Sequence, residues 1–239
     1  MFGYYYGFDL TYLVLVLPCV ILAMIASANV NATFKRYSKQ HSFRRITGAE
    51  AAQRVLTANG VRGVRIERVG GNLTDHFDPK SNVIRLSGDV HDSTSVAAIG
   101  VACHEAGHAV QYAQQFAPIK VRAAVIPLTN IGSKLAMPLI LIGLLLSFGE
   151  TVSYGFIYAG IACFSLSLIF QLVTLPVEFD ASRRAMQAIE SAELMSEEER
   201  KGARKTLTAA AMTYVAATAV ALAQLLRLIV LFGGGRRRD

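Results

Sequence analysis

His104-Glu105-Ala106-Gly107-His108 forms an H-E-x-x-H pattern. Residues four apart on a helix stack on one face, so two imidazoles at this spacing can share one zinc ion. Glu105 directly follows His104, and its carboxylate can reach a water at an open metal position. Zinc acidifies such a water, and the carboxylate takes its proton as the water attacks a carbonyl. The chemistry suggested is zinc-dependent hydrolysis with Glu105 as general base. The plainer alternative is a buried helix with two satisfied histidines. The flanks from Val96 to Gln114 read as helix, which is the setting the mechanism requires.

Gly100 and Gly107 lie two turns apart on one side of this helix. Glycine there costs about 1 kcal/mol against alanine; close approach by another helix or by the metal site's backbone would account for both, and incidental tolerance is the plainer alternative. Cys19, Cys103 and Cys163 are scattered and form neither a zinc knuckle nor a disulfide framework. All three read as small buried residues.

The chain has 239 residues, 53% of them hydrophobic, and its mean hydropathy is +0.39. That is too apolar for an ordinary soluble domain and implies several membrane spans. The net charge of +7 fits basic cytoplasmic loops. No basic stretch interleaved with stacking aromatics points to nucleic acid.

From Leu10 to Phe34 no side chain is charged, enough to cross about 30 Å of hydrocarbon. The tyrosines at positions 4 to 6 suit a membrane interface. A cleaved signal peptide is the rival reading, and Ala26-Ser27-Ala28 resembles a cleavage site. The segment before the apolar run carries Asp9 where a signal peptide carries positive charge. Residues 35–122 read as a small α+β domain. Thr47-Gly48-Ala49-Glu50 is a capping box opening a helix that ends near Asn59-Gly60. Val64 to Val69 and Val83 to Leu86 alternate as strands, with a turn-dense stretch between them. They read as an edge that can hold an extended peptide, as a structural hairpin, or as both. Asp92 or Ser93 is expected to cap the motif helix, and Pro118 to end it.

Between Leu135 and Val177 the one charged residue is Glu150, so residues 123–177 read as two spans joined by a turn near Gly149-Glu150. Lys134 could snorkel, letting the first of them begin earlier. Residues 178–205 are polar and helical, with a new helix start at Ser196-Glu197-Glu198-Glu199. Residues 206–239 hold a fourth apolar segment, spanning or re-entrant, and a basic tail read as flexible. The expected fold is a mainly α membrane protein of about four transmembrane helices, with residues 1–34 as anchor and a small zincin-like cytoplasmic domain. Residues 29–134 and 178–205 hold 20 of the 24 basic residues, which puts them, and the active site, in the cytoplasm. Arg236 to Arg238 break this rule if the fourth segment crosses fully.

A catalytic zinc needs a third protein ligand. No histidine follows His108, and His41, His76 and His91 lie in or beside expected loops or strands. Glu150 is on the wrong side of the membrane, and the Glu190–Glu199 group reads as a solvated charge run. Glu178 and Asp180 remain. Two residues apart on a helix they point about 160° from each other, so only one can face the metal. The one that is not a ligand can instead hydrogen-bond a metal-bound histidine, the role expected for Asp180. His76, beside the presumed edge strand, could stabilise an oxyanion or position substrate, unless it is simply a solvent-exposed loop residue. Arg183, Tyr112 and Tyr214 are other candidates for that role.

The chain resembles the YugP-type membrane zinc metallopeptidases of bacteria along nearly its whole length. The resemblance rests on the first span, Leu73-Thr74-Asp75-His76-Phe77-Asp78-Pro79, the Ser95-to-Cys103 lead into the motif, and Pro176-Val177-Glu178-Phe179-Asp180-Ala181. It implies a gluzincin, in which a glutamate on a later helix completes the zinc ligands. Glu178 is then the preferred third ligand, with Ala181 leaving space one turn on. Related membrane gluzincins often read Glu-x-x-Ala-Asp there, and Ser182 replaces that aspartate; the resemblance then leaves the orienting of the metal-bound histidines to Ser182, Asp180 or Asp75. The activity implied is zinc-dependent peptide hydrolysis at the bacterial plasma membrane. Expected partners are a protein or peptide substrate and the lipid bilayer. A homo-oligomer and a regulatory membrane partner stay open, and nucleic acid is not expected. Two other functions compete: an intramembrane protease, and an inert membrane scaffold or chaperone with a vestigial site. Gln111, Gln114 and Gln115 argue for a soluble or interfacial site, and the intact His104, Glu105, His108 and Glu178 set argues against decay.

Overall fold

A computed structural model describes residues 9–72, 74–146 and 152–233. The tyrosines at positions 4 to 6, Leu73, the Gly149-Glu150 turn and the tail beyond Gly233 lie outside the described residues. The fold is mainly helical with one small sheet. In order it runs α1 (Leu17–Tyr37), α2 (Gly48–Ala58), β1 (Arg65–Val69), β2 (His76–Asp78), β3 (Val83–Ser87), α3 (Gly88–His91), α4 (Val96–Ala113), α5 (Ala117–Leu146), α6 (Val152–Ser191) and α7 (Glu197–Phe232). A π-helical turn, Tyr12–Val16, leads into α1. Four helices are long and apolar enough to cross a membrane: Tyr12–Tyr37, Ala117–Leu146, Tyr154–Ser191 and Glu197–Phe232. The chain divides into two units, residues 1–25, 120–174 and 214–239, and residues 26–119 and 175–213.

In the first unit, small residues let helices meet closely. A Cβ on Gly132 of α5 would lie 2.8 Å from the Cys163 carbonyl oxygen of α6, and one on Gly160 of α6 2.8 Å from the Ala136 carbonyl oxygen. Pro127 and Pro138 sit inside α5, which stays continuous. Arg227 of α7 donates from Nε to Asp9 Oδ2 at 2.8 Å, and its Nη2 also pairs with that carboxylate. Thr11 donates its hydroxyl to the same group at 2.5 Å. The first and last long helices are thus tied by an ion pair.

The second unit holds the sheet, whose strand order is β1-β3-β2. The two strands expected to form a hairpin do not. β1 and β3 pair in parallel, from Arg65↔Val83 to Val69↔Ser87, which a tight turn cannot produce. The turn-dense stretch between them supplies β2, antiparallel to β3 with Phe77↔Ile84. β3 is central and covered on both faces, so Val83, Ile84 and Leu86 are fully buried. β2 is an edge of the sheet and packs on α4, where the Phe77 and Tyr112 rings meet edge-on with centroids 6.1 Å apart.

Helix termini follow local chemistry. Thr47 and Glu50 form the expected capping box on α2. The α4 cap is Ser95, whose side chain accepts from the Ala98 N–H, and not Asp92 or Ser93. Ser93 instead donates its hydroxyl to Ser95 Oγ. α4 ends at Ala113, where Gln115 turns through φ +54°. Pro118 therefore falls in the first turn of α5, where its missing N–H costs nothing. Ser196 and Glu199 exchange hydrogen bonds and open α7. Both glycines of α4 meet other helices. A Cβ on Gly100 would lie 3.5 Å from Ala203 Cβ of α7, and one on Gly107 only 2.8 Å from the Ala181 carbonyl oxygen of α6.

Candidate metal centre

α4 is buried along most of its length, because α2, the sheet, α6 and α7 cover it. Its periodicity puts His104 and His108 side by side, edge to face, with ring centroids 4.7 Å apart. The contact at Gly107 brings the α6 backbone against α4. One turn before Ala181, Glu178 then meets both rings. Its Oε2 lies 3.3 Å from His104 Nε2 and 3.5 Å from His108 Nε2, and its side chain is only 3% exposed. One ligand atom from each of the three residues falls within 4.8 Å of the others. Two imidazole nitrogens and a carboxylate are a donor set that suits a catalytic zinc with an open position.

Asp180 does not join this group. Its carboxylate pairs with Arg183, with Arg184 at 2.5 Å, and with the Gln111 side-chain amide at 2.9 Å. Ser182, one turn past Glu178, lies with Oγ 3.2 Å from His104 Nδ1. Asp75 accepts from the Ser87 backbone N–H at 2.7 Å and is not placed on a histidine. Glu105 is buried, and its charge acts on both Asp75 and His108. Burial pushes the His108 imidazole towards neutrality. The Glu178 hydrogen bond and the Glu105 and Glu178 charges outweigh that and hold its pKa above the usual histidine value.

His76 sits exposed on edge strand β2, with Nδ1 2.7 Å from the Thr74 carbonyl oxygen. That carbonyl can only accept, so Nδ1 carries the proton in the neutral ring and Nε2 is an acceptor. Tyr112 is exposed against Phe77, Arg183 is committed to Asp180 and Gln187, and Tyr214 belongs to the other unit. Cys103 is fully buried, which pushes its thiol up to about 12, while Cys19 and Cys163 are half-buried.

One residue of the centre carries no signature in the sequence beyond its spacing. Gln111 is fully buried and lies with Oε1 3.0 Å from His108 Nδ1. Three residues after His108, it shares that histidine's helix face.

Residues 12–233 match the family model described as putative neutral zinc metallopeptidase. The chain belongs to this zinc metallopeptidase family. It is 42% identical over 225 residues to the putative membrane protease YugP of Bacillus subtilis (strain 168), covering 94% of this chain and 98% of that one. No solved structure matches it. Within the family frame, the three convergent donors are the group that could hold the metal, and the long apolar helices make this metallopeptidase relative a membrane protein.

Proposed function

We propose that this chain is a membrane-bound zinc endopeptidase with His104, His108 and Glu178 as metal ligands and Glu105 as general base. The observation that carries this reading is the meeting of two imidazoles and a buried carboxylate from separate helices, one residue away from a second buried carboxylate, Glu105. Zinc held by these residues would supply Lewis acidity, acidifying water and polarising a peptide carbonyl. Glu105 accepts the proton of the attacking water and passes it to the leaving amine, the usual work of a buried carboxylate with one position in reach. The free edge of β2 offers main-chain N–H and C=O groups to an extended peptide. His76 lies on that edge and positions substrate; it donates to an oxyanion from Nε2 only as imidazolium, since Nδ1 is held by Thr74.

The site faces the cytoplasm of the bacterial plasma membrane in this reading. The positive-inside count supports it. The Asp9–Arg227 pair supports a full crossing by the last helix, because it joins the start of the first span to the end of the fourth. An even number of spans leaves those two points on one side.

Detergent-purified protein should hold about one zinc per chain and cleave casein, and a chelator should remove both properties together. Casein cleavage that survives complete metal removal would overturn the reading.

A further inference from the structure

We infer that the metal centre is braced from behind by uncharged partners, Gln111 on His108 and Ser182 on His104, so that it holds zinc loosely and leaves it strongly electrophilic. The inference rests on the ligand assignment above. Its first leg is the orientation of the Gln111 amide. Nε2 donates to the Val177 carbonyl at 2.8 Å and to Asp180 Oδ2 at 2.9 Å, and both of those groups are acceptors. The amide cannot turn over without setting its oxygen against two oxygens. Oε1 therefore faces His108 Nδ1, at 3.0 Å, and accepts its proton. In the neutral, metal-binding ring this fixes the tautomer: His108 carries hydrogen on Nδ1 and has its lone pair at Nε2, the atom on the Glu178 side.

The second leg is His104. Its Nε2 faces Glu178 at the metal position; with Nε2 given to the metal, Nδ1 carries the hydrogen and the Ser182 hydroxyl accepts it. Neither acceptor is charged. A carboxylate in either place would draw the Nδ1 proton towards itself, make the imidazole a stronger donor and tighten the metal. The nearby acid, Asp180, reaches His108 only through the Gln111 amide, and Arg183 and Arg184 already pair with it. Little of the Asp180 charge arrives at the Nδ1 side of either ring. His104 and His108 so braced would leave a bound zinc more of its charge for polarising water and substrate. Gln111 is a positioning residue, acting on the metal through His108.

The site has room to be tested. Ser182 lines a groove of about 380 Å³ between α6 and α7, with Phe179, Met186 and Leu207 among its walls. Zn²⁺ affinity of the full-length, detergent-purified protein is measured by competition with a chromophoric chelator, for wild type, Ser182→Asp and Gln111→Leu. Thermal unfolding of each metal-free protein reports folding. Ser182→Asp should bind zinc about tenfold or more tighter and turn over casein more slowly. Gln111→Leu should bind it about tenfold to a hundredfold more weakly. A gain in affinity is a result that a purely structural role for Ser182 cannot give. Unchanged or weaker binding by a normally folded Ser182→Asp would overturn the inference. If that variant unfolds early, unchanged affinity in Gln111→Leu overturns it instead. A wild-type protein that binds no zinc sinks the peptidase reading with it, whereas a zinc-binding, casein-cleaving wild type with indifferent variants sinks this inference alone.

Discussion

The Asp75 carboxylate receives both the backbone N–H of Ser87, at 2.7 Å, and its hydroxyl, at 3.1 Å. Those bonds favour the charged form. Burial is the larger effect and opposes it, and the Glu105 charge adds to burial, so the Asp75 pKa lies above the usual carboxylate range. The sign for stability follows from linkage. An acid whose pKa is raised by folding contributes stability when protonated, below its unfolded pKa, and that contribution is lost as pH rises through the folded value. In metal-free protein, the melting temperature should carry a falling limb that starts just above the usual aspartate range. Asp75→Asn should flatten that limb. Thermal scans of both proteins from pH 4 to about pH 8 check this, and an identical slope in the two would contradict it.

Glu105→Gln keeps the shape of the side chain and removes its capacity to accept a proton. Zinc content should be unchanged, and casein turnover should fall by about a hundredfold to ten-thousandfold. Metal analysis alongside a turnover assay separates the two properties. Turnover near the wild-type rate would remove Glu105 from the base role.

Glu178 and Asp180 sit two residues apart on α6 and face different partners: the histidines for one, Arg183, Arg184 and Gln111 for the other. Glu178→Ala should lose more zinc affinity than the roughly tenfold to hundredfold that an outer hydrogen-bond partner carries. Asp180→Ala should stay within that range. Chelator competition on the two variants reads the difference, and a larger loss for Asp180→Ala would reverse the assignment.

Topology has its own test. A reporter fused after residue 40 should read as cytoplasmic, and one inserted at Thr151-Val152 as external. The ion pair between Asp9 and Arg227 adds a third point: a reporter at the C-terminus should read as external. A cytoplasmic C-terminus would mean that α7 does not cross.

What was legible in the sequence was what depends on near neighbours. The histidine pair, the Thr47–Glu50 capping box and the apolar helices are local patterns, readable from spacing alone. The close approach at Gly107 was legible because glycine inside a buried helix needs a reason. Pairing partners were not legible. Alternation in β1 and β3 gives a face but not a direction, so their parallel register could not be read, and β2 is only three residues long, inside a stretch rich in turn residues. Ser95 lost out to Asp92 and Ser93 because all three are good caps and lie within a few residues. Gln111 is the clearest case. Its role depends on the Val177 carbonyl and on Asp180, both from a helix far along the chain, and in the sequence only its spacing of three from His108 separates it from Gln114.

A search pattern written H-E-x-x-H treats two of its five letters as blanks. In this chain they are not blank. Ala106 is fully buried, and a methyl group at Gly107 would press on the Ala181 carbonyl oxygen at 2.8 Å. The helix that presses there is the one that carries Glu178. Any larger residue at position 107 therefore pushes the carboxylate away from the histidines it faces. The spelling of the motif's silent letters already encodes where its missing partner must stand.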